Sequence, residues 1–136
     1  MGAKQLAAAL VVGLLSLPAA PARAAPCPGV DQSLTAARKQ EYARLVADDL
    51  RGDVQPRRIK VLAFMGQAPW SVAYVSTPVS DNGYFFFEET RRAKRFKDVW
   101  GGMAEPSERP QIAAWARKLG APKQLAQCFA FHATGE

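Results

Sequence analysis

Between Ile59 and Phe87 the chain alternates with a period of two. Ile59, Val61, Ala63 and Met65 take one parity, and Lys60, Leu62 and Phe64 the other. Trp70, Val72 and Tyr74 then alternate with the smaller Ser71, Ala73 and Val75. β-branched and aromatic residues at this period predict strands. Gly66-Gln67-Ala68-Pro69 lies between the two runs, and such turn-formers predict an antiparallel hairpin. Ser76 to Gly83 is a polar break closing on Asp81-Asn82-Gly83. Asn and Gly tolerate positive φ, so this tripeptide is the expected second turn. The third run, Tyr84-Phe85-Phe86-Phe87, puts rings on both parities, which predicts cover on both of its faces.

A helical period flanks these strands. Leu34, Ala37, Tyr42, Leu45 and Val46 fall on one stripe of a segment from about Thr35 to Arg51. Ser33 or Thr35 can cap its start, and Gly52 can end it. Beyond the third strand, Phe96, Asp98 and Trp100 are expected to share one face of a fourth strand after a turn at Thr90 to Ala93. The abrupt stop at Gly101-Gly102 favours strand over short helix there. Ser107 is the expected cap of the next helix, with Pro110 in its first turn. Ile112, Trp115, Ala116 and Leu119 recur at i, i+3, i+4 and i+7, and Gly120 ends that helix. Pro122 opens a last one, with Leu125, Cys128 and Phe129 on one side.

The expected fold is therefore α+β: an N-terminal helix, a three- or four-stranded antiparallel meander, and two C-terminal helices packed on one face. The simplest arrangement lays all the helices on the same side of the sheet. In plan alone this resembles small exported helix-plus-meander domains such as cystatin-like modules, and a shared plan carries no function with it. Gly83 to Phe87 bears a loose likeness to the aromatic strand of an RNA-recognition motif, but Asn82 stands where that motif has Lys or Arg.

The N-terminus changes how the rest is read. Lys4, an apolar run from Leu6 to Leu17 and the small-residue pattern Ala22-Arg23-Ala24 make residues 1–24 a secretory signal peptide, cut after Ala24 or Ala25. The apolar run is short for a membrane span. Residues 25–136 are then one exported domain, periplasmic or secreted, with membrane contact at most peripheral. Lys4 and Arg23 leave with the signal, so the formal net charge falls from +6 to about +4. That balance weakly favours anionic partners. The chain has two cysteines, Cys27 and Cys128, near the ends of the mature domain. In an oxidising compartment they are expected to pair, closing a loop of about a hundred residues.

Candidate chemistry is sparse. The one histidine, His132, sits near the C-terminus, where a solvated tail is expected, and no G-x-S-x-G elbow presents a serine. One His and two paired Cys leave carboxylates as the remaining strong metal ligands, so neither a metal nor another cofactor is expected. Asp48-Asp49 and Glu88-Glu89 diverge on a helix and a strand respectively, so neither pair converges unaided. The sharpest polar feature is the run Arg91, Arg92, Lys94, Arg95 and Lys97 after the aromatic strand, with Trp100 beyond it. These six residues are the candidate ligand-binding set, because clustered cations beside aromatics suit an anionic ligand. A competing reading makes the cations a solvated turn that guards a sheet edge. The expected function is a non-enzymatic exported binding module whose partner is a protein or an anionic envelope component. Nucleic acid is not expected outside the cell. The alternative is a small secreted hydrolase with a carboxylate pair that spacing does not reveal. No sequence feature assigns an oligomeric state.

Overall fold

A computed structural model describes residues 2, 9, 12–18 and 27–135; the expected cleavage positions Ala24 and Ala25 and part of the apolar run before them lie outside the described residues. The elements run α1 (Ala36–Asp49), β1 (Lys60–Gln67), β2 (Trp70–Thr77), β3 (Ser80–Thr90), β4 (Ala93–Gly101), α2 (Arg109–Leu119) and α3 (Lys123–Ala133). Short 3-10 turns at Pro56–Arg58 and Pro106–Glu108 precede β1 and α2. The sheet is a four-stranded antiparallel meander in the order β1-β2-β3-β4. This is the expected α+β arrangement, with the fourth strand present.

The sheet is covered on both faces. Trp70, Val72, Tyr84 and Phe86 pack with Ile112, Ala116, Leu125 and Phe129 of α2 and α3. Ala73, Val75, Phe85 and Phe87 pack with Tyr42, Ala43, Val46 and Ala47 of α1. The C-terminal helices share one face as expected, but α1 lies on the other, so the reading with all helices on one side is corrected. The aromatic run of β3 accounts for this. Strand side chains alternate sides, and Phe86 and Phe87 are both almost fully buried, each needing its own covering layer. Burying each ring stabilises by about 1.5–3 kcal/mol.

Two bulges re-aim the edge strands. In β1 the register shifts between Val61 and Ala63. Val61 and Phe64 then face α1 while Met65 faces α2 and α3, so Ile59, Val61, Ala63 and Met65 do not form one face. In β4 the shift falls where Phe87 pairs with Phe96 and Phe86 with Asp98. Phe96 therefore packs on the α1 side and Trp100 on the other, instead of sharing a face. An inserted residue reverses the parity of everything beyond it.

Turn and cap chemistry differs at two points. The β2–β3 turn is Pro78-Val79, with Thr77 paired to Ser80, and Asn82-Gly83 lies inside β3. Gly83 serves close packing there: a Cβ would come within 3.0 Å of Val99 and 3.3 Å of Phe85. Ser107 is not the α2 cap; Glu105 and Glu108 form a reciprocal capping box around the turn before it. Thr35 does cap α1, its Oγ1 accepting from the Arg38 amide at 3.2 Å. Gly120 closes α2 at φ 116°. Cys27 and Cys128 form a disulfide, tying the segment before α1 to α3 across 101 residues. No helix among the described residues is long and apolar enough to cross a membrane.

Candidate functional site

The five clustered cations sit at the β3–β4 hairpin, and their surroundings divide them. Lys94 is ion-paired to Glu41 of α1 and lies 5.0 Å from the Tyr42 ring centre. Burial disfavours its charge, but Glu41 and Tyr42 outweigh that, and its pKa is raised. Lys97 reaches Glu88 at 3.4 Å and sits 6.0 Å from the Trp70 ring. Arg95 donates from Nε to Thr90 Oγ1 at 3.0 Å. These three side chains line the exposed edge strand and are engaged locally, which fits a guard against edge-to-edge pairing.

Arg91 and Arg92 are different. They are the two central residues of the turn, with Thr90 paired to Ala93, and both are exposed. Their φ values are 50° and 65°. A two-residue hairpin turn that follows strand twist needs positive φ at both centres, and Asn-Gly is its favoured filling. Non-glycine residues there cost about 1–2 kcal/mol each. Neither arginine is hydrogen-bonded or ion-paired to a described residue through its side chain. The chain thus holds two cations in a costly conformation at an exposed tip.

Trp100 is not near them. It lies at the far end of β4, eight residues and about 27 Å along the strand from Arg92. There it is half-buried, 5.8 Å from Phe129 and 6.0 Å from Tyr84. The expected six-residue set therefore separates into the exposed arginine pair, three locally engaged cations and a packed tryptophan.

Beneath the hairpin is a cavity of about 280 Å³ whose lining includes Asp31, Arg38, Tyr42, Ser71, Glu89 and Lys94. Thr35 and the following residues start α1 here because Asp31 bridges Gly66 of β1, which lays the helix start over the sheet end. Arg38 donates to Asp31 at 2.7 Å and stacks 4.1 Å from the Phe64 ring centre. That guanidinium, with the Ser33 amide, holds the Asp31 carboxyl down to about 2. Tyr42 Oη donates to Ser71 Oγ at 2.6 Å in a buried contact. Burial raises the Tyr42 pKa. A protonated Lys94 and a protonated Tyr42 leave neither of them to deprotonate Ser71 at neutral pH. Sequence reasoning missed this cavity. Its one visible signal was Ser71, a polar residue at a helix-facing position of an otherwise apolar parity.

His132 also differs from expectation. It lies in the last turn of α3, half-buried, with Nδ1 2.5 Å from Tyr84 Oη. Burial lowers its pKa and strongly raises that of Tyr84. Tyr84 is then the donor and neutral His132 the acceptor, with Tyr74 stacked on Tyr84 at 4.3 Å. Among the described residues, no group of three or more His, Cys, Asp or Glu side chains could hold a metal ion. No family model, curated protein or solved structure matches the chain.

Proposed function

We propose that the mature domain is an exported, non-enzymatic binding module that engages an anionic partner, a protein or an envelope component, through the tip of the β3–β4 hairpin. The observation that carries this reading is the Arg91-Arg92 pair. Two guanidiniums stand exposed at positive φ, while the neighbouring Lys94, Arg95 and Lys97 are engaged nearby. Backbone strain that persists at an exposed polar tip points toward recognition, because residues chosen for stability alone would be Asn and Gly. The cavity beneath is a poorer anion site, since Asp31 and Glu89 share its lining with Arg38 and Lys94. The signal peptide and disulfide favour an oxidising compartment. Affinity capture from envelope and secreted fractions tests the reading. Wild type should retain an anionic component that salt releases, and Arg91→Ala with Arg92→Ala should lose it.

One observation favours a second reading, a hydrolase. Asp49 at the end of α1 and Asp81 of β3, far apart in sequence, both line a cavity of about 580 Å³. Burial raises the pKa of Asp49, as a general acid requires. Glycoside hydrolysis by the mature protein that vanishes in both Asp49→Asn and Asp81→Asn would select this reading.

A further inference from the structure

A second group of cations lies away from the hairpin. Lys39 and Arg44 of α1 and Arg57 of the turn before β1 rim a groove of about 400 Å³, with Ala43 and Ile59 at its base. Both base residues are buried members of the α1-side core, so the floor is fixed and apolar. Gln40 adds a neutral polar group, and no carboxylate lines the groove. None of the three cations is ion-paired to a described residue. Asp48, one turn along α1 from Arg44, is not bonded to it, and Glu41 is turned to Lys94. Arg58 and Lys60, both exposed, extend the positive strip toward β1. The groove borders edge strand β1, whereas Arg91 and Arg92 join β3 to the opposite edge strand.

Like charges on one rim repel within a screening length of about 8 Å. A bound anion removes that repulsion, and two arginine forks match the oxygens of a phosphate. The apolar floor suits an organic body attached to the anion. We propose that this groove is a binding site for a phosphate ester, with Arg44, Arg57 and Lys39 holding the phosphate and Ala43 and Ile59 contacting the ester's organic part. The site stands on its own residues and does not depend on the hairpin.

The test is an amide-resolved NMR titration of the mature, disulfide-bonded protein with phenyl phosphate, with inorganic phosphate, and with vesicles containing phosphatidylglycerol. Phenyl phosphate should give saturable shifts at residues 39–44 and 56–59, and bind several-fold more tightly than inorganic phosphate. Arg44→Gln with Arg57→Gln should weaken this at least tenfold, with an otherwise unchanged spectrum showing the fold intact. Arg91→Asn with Arg92→Gly should leave it unchanged, so failure at the groove and failure at the hairpin are read separately. If only vesicles perturb the groove, and Arg44 and Arg57 are required, the phosphate is that of a lipid headgroup. Shifts that never saturate, spread over all basic surfaces, or survive in the Arg44/Arg57 variant would overturn the site.

Discussion

His132 shows how one side chain's setting decides its behaviour. Burial against Tyr74 and Tyr84 lowers its pKa from the ordinary value of 6.5, while the unfolded chain keeps that value. Below pH 6.5 the unfolded state therefore binds more protons than the folded one. The stability contributed is full above 6.5 and is lost as pH falls toward the folded value. The melting temperature should drop between pH 7 and 5, and His132→Gln should flatten that part of the profile. An unchanged slope in the variant would assign it to other groups. The sequence placed this residue in a solvated tail because nothing local marks the partner. Tyr84 is 48 positions away and meets His132 only once α3 lies on the sheet.

At the scale of elements, the period-two and helical patterns were legible because side-chain direction follows directly from backbone repeat. Trp70, Val72 and Tyr74 do share a face, and Ile112 and Ala116 do face the core. The bulges in β1 and β4 were not legible, since neither carries a glycine and an extra residue leaves the composition unchanged. Asn82-Gly83 misled for the opposite reason. It has the composition of a turn, yet the glycine is needed where Val99 crosses close to the backbone. The real β3–β4 turn holds two arginines, so its position could be inferred but not its conformation.

The α2 helix gives a prediction at this scale. Trp115 is half-buried, with its ring edge-on to Phe86 at 5.3 Å and tilted against Phe129 at 6.0 Å. Trp115→Ala should cost about 2–4 kcal/mol, somewhat below a fully buried tryptophan, measured by urea denaturation. A loss below about 1 kcal/mol would mean that α2 does not help cover the sheet.

Across the whole molecule, a central sheet lies between α1 and the α2–α3 pair, and the disulfide joins the two ends of the described domain over one face. The chain's two cysteines are bonded to each other, so thiol labelling of the urea-unfolded protein without reductant should detect none. Replacing both cysteines with alanine should cost about 2–5 kcal/mol, because the unfolded chain regains the freedom of a loop of about a hundred residues. An equal melting temperature for the two forms would remove the disulfide from the account of stability.

The binding reading turns on whether Arg91 and Arg92 are kept for recognition at the expense of the turn. Arg91→Asn with Arg92→Gly removes both charges and supplies the residues the turn favours. Lys118→Gln with Lys123→Gln removes two exposed charges elsewhere and serves as the control. The decisive measurement is retention of the three proteins on the captured anionic component across a salt gradient, alongside their melting temperatures. The account predicts that the hairpin variant melts higher, by about 1 kcal/mol or more of stability, and binds much more weakly, while the control binds close to wild type. Equal retention of the hairpin variant and wild type, or equal losses in hairpin variant and control, would contradict it.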